Sequence, residues 1–307
     1  MLTAAAKVNL VLEVLGKRPD GYHEIATVLQ AVELCDRLVL EDAEDLALEV
    51  HGPAPGDATN LALRAAAILR EAAGVDRGAR IRLDKRIPVA AGLGGGSADA
   101  AAVLAGLNRL WGLRWPRVRL SALGASLGMD VPFFLWGGAA LATGRGEVVE
   151  PVAAGALALV LVSPASGLST AEVYARVTPT LWTDGGRARD MVEALRRRRP
   201  ARIAASLYNG LEGAVVPLCP EVERIKAALL AAGALGAAVS GSGPTVFGVA
   251  RSYEHARQIR NRVTRRSWRC WAVRTLTGPA IRVRRAAPAA AGRGAGGGQG
   301  RWGVAKR

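Results

Sequence analysis

The segment Pro88-Val-Ala-Ala-Gly-Leu-Gly-Gly-Gly-Ser-Ala98 restricts the possible folds of this chain more than any other stretch. Before it, Ile81-Arg-Leu-Asp-Lys-Arg-Ile87 alternates apolar and charged residues as a half-buried strand does, and Pro88, with no N–H for a ladder, stops that strand. After it, residues 97–111 are rich in good helix formers and close on Gly112, which predicts a helix. A strand, a run of glycines and a helix in that order bring backbone N–H groups, free of Cβ atoms, to the positive end of a helix. A polyphosphate is the natural ligand of such a loop, although a tight hinge would use the same residues. No Lys-Ser or Lys-Thr follows the glycines, which excludes a Walker A loop. The spacing Gly92-x-Gly94-x-x-Ser97 also departs from the dinucleotide fingerprint, and no acidic residue stands about twenty positions on.

Residues 7–15 predict a strand with Val8, Leu10, Leu12 and Val14 on a core face, and Lys7, Asn9, Val11 and Glu13 on the other. Gly16-Lys-Arg-Pro-Asp-Gly21 is turn chemistry, and Tyr22 and His23 follow it at once. Further strands are predicted near residues 28–40 and 46–50, then an alanine-rich helix capped by Asn60 and ended near Gly74. A short helix precedes Gly128-Met-Asp-Val-Pro-Phe-Phe134, and a strand runs from Gly137-Gly138 towards Thr143. A second unit opens with a buried-type strand at 157–162 and continues with helices near 169–176, 191–198 and 221–232. The turn Ser240-Gly-Ser-Gly-Pro244 introduces a strand at 245–250, then a helix and a last strand near 269–276. Strands and helices interleave without a strict alternation, which predicts an α+β chain in two lobes with a boundary near 145–155.

Charge matters next, because the net value of +15 invites a nucleic-acid reading. Of the 41 Lys and Arg residues, 14 follow Glu254 in a stretch without Asp or Glu, so residues 1–254 hold 27 basic against 26 acidic side chains. The basic character belongs to the far end. From about Arg284, Ala, Gly and Arg dominate without periodicity and predict a disordered tail, solvated or in weak, salt-sensitive contact with polyanions. No apolar run is long enough to span a bilayer, and Met1-Leu-Thr-Ala-Ala-Ala-Lys7 lacks the pattern of a secretory leader, so a soluble cytoplasmic protein is expected. Cys35, Cys219 and Cys270, like His23, His51 and His255, are too scattered for a disulfide framework, a zinc site or a histidine-built metal centre.

Among candidate chemical groups, Asp130 stands in the apolar neighbourhood Leu127-Gly-Met-Asp-Val-Pro-Phe-Phe134, where an unpartnered carboxylate is costly. Lys7 is its expected partner. The residues alone leave three roles open for Asp130: a base, one half of a buried ion pair, or a helix cap. Ser97 is the candidate for a hydroxyl contact with the triphosphate or Mg²⁺, with N-capping as the plain alternative. Thr170 and Tyr174 are one helical turn apart and can share a face, or serve as a cap and a core aromatic. Asp99 is near the loop but complements a helix dipole equally well, so no acidic residue is singled out for Mg²⁺.

The run Pro88-x-x-x-Gly92-Leu-Gly-Gly-Gly-Ser97-Ala98 resembles the second motif of the GHMP kinases, in which this loop wraps the phosphates of ATP. Ala6-Lys7-Val8-Asn9-Leu10 is similar to the family's first motif, and Ser240-Gly-Ser-Gly-Pro-Thr-Val-Phe247 to its third, a glycine turn beside the substrate. The resemblance implies an α+β, two-lobed GHMP kinase fold. A ribosomal protein S5 domain 2-like N-terminal lobe would span residues 1–150, a ferredoxin-like C-terminal lobe 151–283, and a basic tail foreign to the family pattern 284–307. It further implies ATP as donor, Mg²⁺ as its ion, and a small-molecule acceptor rather than a membrane or, apart from the tail, a nucleic acid. Lys7 and Asp130 would be catalytic. Pro88, Val89, Ala90, Ala91, Gly92, Leu93, Gly94, Gly95, Gly96, Ser97 and Ala98 would hold ATP. Asn9, Tyr22, His23, Thr170, Tyr174, Gly241 and Ser242 would hold the acceptor. Arg18-Pro-Asp-Gly-Tyr-His-Glu24 and Gly128-Met-Asp-Val-Pro132 look like the branch whose acceptor is a cytidine diphosphate-linked methylerythritol, with Tyr22 stacking on the cytosine and His23 hydrogen-bonding it. The alternatives are a GHMP kinase for mevalonate-type, homoserine or sugar alcohols, and a non-catalytic polyanion-binding protein. Alanine occupies several places in the glycine motif, a departure that should alter contacts more than chemistry.

Overall fold

The chain's first long apolar run is its structural spine. The computed structural model describes residues 1–283; the stretch predicted to be a disordered basic tail, 284–307, lies outside the described residues. β1 (Leu2–Lys17) pairs antiparallel with β2 (His23–Ala43) along nearly its whole length, and the turn between them closes with the Gly21 N–H donating to the Arg18 carbonyl. There follow β3 (Leu46–His51), α1 (Leu61–Ala73), β4 (Gly78–Asp84), α2 (Gly95–Leu110), α3 (Arg117–Ala125), α4 (Val131–Trp136), β5 (Ala139–Gly144) and β6 (Val148–Val152). The second half holds β7 (Ala158–Pro164), α5 (Thr170–Tyr174), α6 (Gly186–Arg196), α7 (Pro200–Ala205), β8 (Tyr208–Asn209), α8 (Glu212–Val215) and α9 (Glu221–Ala231). It ends with β9 (Gly236–Val239), β10 (Val246–Ala250), α10 (Tyr253–Val263), β11 (Trp268–Arg274) and β12 (Ile281–Val283).

Two sheets result, and with their helices they form the expected α+β, two-lobed fold. The larger runs β12-β1-β2-β4-β3, with β5 on the first half of β2, β6 on β5, and the short β8 parallel to β1. The smaller is antiparallel in the order β11-β7-β10-β9, a ferredoxin-like sheet. Alternation along β7 divides its two faces. Val160 and Val162 pack with Ile225 and Leu229 of α9 and Ile259 of α10, whereas Leu159 and Leu161 join Val8 and Leu10 of β1 in the core shared between the sheets. Behind the large sheet, Leu29 and Leu38 meet the alanine-rich face of α2, where small side chains let the helix lie close.

Several expectations need correction. The Lys7–Asn9 side of β1 is not an open face, because Lys7, Asn9 and Glu13 are all buried. Bulges, one between Asn9 and Val11, shift the alternation, and the glycine loop, α4 and the turn at 240–244 cover that side. β4 ends at Asp84 rather than Ile87, because the Asp36 carboxylate takes the N–H groups of Arg86 and Ile87 at 2.6 and 2.8 Å and draws them from the ladder. Helix α2 begins at Gly95, with Gly94 as its cap, so Ser97 is an internal residue and not the N-cap. α1 fits its expected bounds, with Asn60 Oδ1 accepting the Ala62 N–H at 2.9 Å. No helix among the described residues is long and apolar enough to cross a membrane.

Candidate active site

Three distant segments meet at β1 through backbone contacts. The Lys7 N–H donates to the Leu93 carbonyl at 3.0 Å, which ties the glycine loop to the spine. The buried Ser240 hydroxyl accepts the Asn9 N–H at 3.3 Å and donates to the Gly92 carbonyl at 2.9 Å, which ties the 240–244 turn to both. These contacts explain two glycines more directly than ligand binding does. A Cβ on Gly92 would lie 2.0 Å from the Ser240 carbonyl oxygen. One on Gly94, which has φ +68°, would lie 2.9 Å from Phe134 and 3.1 Å from the Lys7 Cε. No side chain caps α2, so the N–H groups of its first turn, at Gly95, Gly96 and Ser97, face a cleft at the positive end of the helix.

The cleft has a volume of 910 Å³ and runs between the two lobes. Every residue assigned to the site from the sequence lines it except Leu93 and Ala98. Those two are 1% and 0% exposed, and they point into the core as anchors of the loop rather than towards a ligand. Lys7, Lys17, Lys85 and Arg145 line the cleft against only Asp99 and Asp130, a balance that suits a polyanion.

At its centre, Lys7 Nζ donates to Asn9 Oδ1 at 2.6 Å and stands 3.4 Å from Asp130 Oδ2. Asn9 Nδ2 donates to Thr27 Oγ1 at 2.8 Å, and the Thr27 hydroxyl donates to the Val11 carbonyl at 2.6 Å, so the bulge in β1 is filled by a side-chain chain ending on the ammonium. Asp130 occupies the position before α4, yet its carboxylate makes no capping bond. Its side chain is 31% exposed towards the cleft, so it is neither a cap nor half of a fully buried pair. An oxygen-bearing substrate could reach it while Lys7 remains fixed.

Also lining the cleft, His23 and Tyr174 stack at an angle with ring centroids 5.3 Å apart. Burial, with help from the Lys17 charge, lowers the His23 pKa and favours the neutral ring; burial and the Asp130 charge push the Tyr174 phenol up. Tyr22 is half exposed, and the Arg145 guanidinium lies 5.0 Å from its ring centroid. The hydroxyls of Thr170 and Ser242 are 2.9 Å apart, joining α5 to the 240–244 turn. Thr170 and Tyr174 both line the cleft, and Ser169 is the residue whose hydroxyl caps α5.

Sequence reasoning missed Lys85, Asp36, Thr27 and Arg145, and it left Asp99 as a dipole partner. Lys85 Nζ is held by Asp36 and lies 2.7 Å from Asp99 Oδ2, and all three residues are buried. Burial first, and then the Asp36 charge, push the Asp99 carboxyl up to about 8 against the pull of Lys85. One signal was present: Ile81, Leu83, Lys85 and Ile87 share the inward side of the alternation, which puts an ammonium among core residues.

Residues 60–138 match the GHMP kinases N terminal domain and residues 191–270 the GHMP kinases C terminal domain. The 4-diphosphocytidyl-2-C-methyl-D-erythritol kinase of Pelotomaculum thermopropionicum is 51% identical over 277 residues, covering 89% of this chain and 96% of the relative. The protein of the same name from Symbiobacterium thermophilum is 51% identical over 276 residues, covering 88% and 98%. A crystal structure of a 4-(cytidine 5'-diphospho)-2C-methyl-D-erythritol kinase superposes with a TM-score of 0.77 at 40% identity, covering 90% of this chain and 99% of that one.

Proposed function

Because the chain belongs to the GHMP kinase family, and within it to the 4-diphosphocytidyl-2-C-methyl-D-erythritol kinases, we propose that it transfers the terminal phosphoryl group of ATP to the 2-hydroxyl of 4-diphosphocytidyl-2-C-methyl-D-erythritol. That step belongs to non-mevalonate isoprenoid precursor synthesis. One observation carries the reading: the Lys7–Asp130 pair stands in the same cleft as the open helix N-terminus and the Tyr22–His23–Tyr174 group.

In this reading the amides of the 88–98 loop and the α2 N-terminus hold the triphosphate. Asp130 accepts the proton of the acceptor hydroxyl as its oxygen bonds the γ-phosphorus, and the bond to the β-bridging oxygen breaks with its electron pair leaving on ADP. Lys7, steadied by Asn9, offers positive charge to the phosphoryl oxygens. Tyr22 stacks on the cytosine, His23 hydrogen-bonds it, and Asn9, Thr170, Tyr174, Gly241 and Ser242 complete the acceptor side. Mg²⁺ neutralises charge on the triphosphate when bound. Ser97, which lines the cleft in the first turn of α2, would be the side chain to meet that ion or the triphosphate, with phosphate oxygens and water supplying the rest.

The test is an ADP-release assay with the cytidine diphosphate-linked acceptor, mevalonate, homoserine and galactose in parallel. Turnover is expected with the first alone. Asp130→Asn should lower it by about 10²–10⁴-fold while ADP still binds by calorimetry. Wild-type rates in that variant, or preference for another acceptor, would refute the assignment.

A further inference from the structure

The buried Lys85 has no part in the chemistry just described, yet it lies directly under the phosphate loop. A Cβ on Gly95, the first residue of α2, would be 2.8 Å from its Nζ, so the ammonium packs against the opening turn of the helix. Asp36, on β2, holds that ammonium with one oxygen and takes the Arg86 and Ile87 N–H groups with the other, at 2.6 and 2.8 Å. Asp99, four residues into α2 from Gly95, takes the ammonium at 2.7 Å. Three elements are thereby joined at one nitrogen: the sheet, the strand exit that leads into Pro88, and the helix whose N-terminus faces the cleft.

We propose that Lys85, clamped by Asp36 and Asp99, is a positioning residue for nucleotide binding: it sets the height and tilt of the first turn of α2 and so aims the amides of Gly95, Gly96 and Ser97. The proposal rests on the loop being the ATP cradle. Two features favour a tuned device over an ordinary buried ion pair. The triad sits in the wall of the cleft, where both Lys85 and Asp99 line the cavity, and Asp99 Oδ1 has no hydrogen-bond partner although it is buried. An ammonium with two ionised carboxylates would also place net negative charge beneath a site for a polyanion. Burial pushes the Asp99 carboxyl up to about 8, which favours its protonated form and lessens that negative charge.

Lys85→Met strands Asp36 and Asp99 without a cation and is expected to fold poorly, so Asp99 carries the test. Asp99→Ala removes one jaw of the clamp while Asp36 still pairs Lys85. It is expected to raise the KM for ATP and the calorimetric Kd for ADP about tenfold, with the acceptor KM within about twofold. Asp99→Asn keeps the shape and an acceptor oxygen for Lys85, and should restore ADP affinity to within about threefold of wild type. A structural role alone would lower the melting temperature of Asp99→Ala and leave both KM values unchanged; that result overturns the proposal. Gly94→Ala separates the premise from the inference. If it binds ADP like the wild type, the cradle reading fails; if it loses ADP while Asp99→Ala retains it, only the positioning role fails.

Discussion

Thr27→Val isolates the hydroxyl that supports the Lys7–Asn9 pair from a position on the neighbouring strand. Thr27 is 2% exposed, and its Oγ1 accepts from Asn9 Nδ2 at 2.8 Å and donates to the Val11 carbonyl at 2.6 Å. Valine fills nearly the same volume without the hydroxyl, leaving a buried donor and a buried acceptor unpaired. Each such group costs about 1–3 kcal/mol, so the variant should lose about 2–6 kcal/mol, a large part of the roughly 5–15 kcal/mol that holds a domain together. The kinetic effect follows the same chain of bonds. Asn9 Oδ1 receives Lys7 Nζ at 2.6 Å, and an amide freed from Thr27 no longer fixes the ammonium opposite Asp130. A misplacement of order 1 Å costs up to about 10²-fold in rate, so kcat should fall by about 10- to 100-fold while the KM for ATP changes little. Urea denaturation and the ADP-release assay measure the two effects. Thr27→Ser is the control: it keeps both hydrogen bonds, loses one methyl worth about 1 kcal/mol, and should turn over like the wild type. If Thr27→Val matches Thr27→Ser in both stability and kcat, the hydrogen-bond chain does not position Lys7.

Two further outcomes are expected. Tyr22→Ala should raise the acceptor KM about tenfold and leave the KM for ATP unchanged, because Tyr22 lines the cleft from the turn between β1 and β2 and not from the glycine loop; equal loss for both substrates would contradict the stacking role. Because the folded chain raises the Asp99 carboxyl to about 8, against an ordinary 3.8, it retains a proton that the unfolded chain releases, so stability must fall as pH rises through that window and level off above it. Urea midpoints of wild type and Asp99→Asn, compared from about pH 5 to pH 9, should draw apart across the window, and a constant difference would mean that Asp99 is ionised throughout.

The parts of this site readable from sequence were those where local spacing and chemistry coincide. Lys7 and Asn9 are two residues apart on a strand, so they must emerge near each other, and the glycines precede a helix, so their amides must meet its N-terminus. Where the helix begins was harder, because Gly94 supplies the cap through its left-handed backbone and no capping side chain marks the place. The role of Asp130 lay beyond spacing: a residue before Val131-Pro132 reads as a cap, and only the tertiary position of Lys7 turns its carboxylate away from the helix. Thr27 and Asp36 act across the sheet from β2, where nothing in their own segment distinguishes them from ordinary strand residues. β8 and β12 are too short, at 2 and 3 residues, for any period to show. Lys85 is the instructive omission. Its place on the apolar side of an alternating strand implied a buried cation, and a buried cation implies carboxylates from elsewhere in the fold.

A shared physical cause explains why the three motifs form one unit despite their separation in sequence. β1 is paired with β2, touched by β8 and β12, and covered on both faces, so its backbone is held from every side. Residue 7 binds the loop at Leu93, residue 9 binds Ser240, and Ser240 returns to the loop at Gly92, closing a ring of contacts in which each motif is held by the other two. Within that ring the glycine loop has little freedom to wrap around an anion. Its glycines serve close packing against Ser240, Phe134 and Lys7 at least as much as flexibility. In the proposed reading, a cradle held by this ring needs little ordering by the nucleotide, and the binding energy that would otherwise order a loose loop is left to align the γ-phosphoryl group with the hydroxyl beside Asp130.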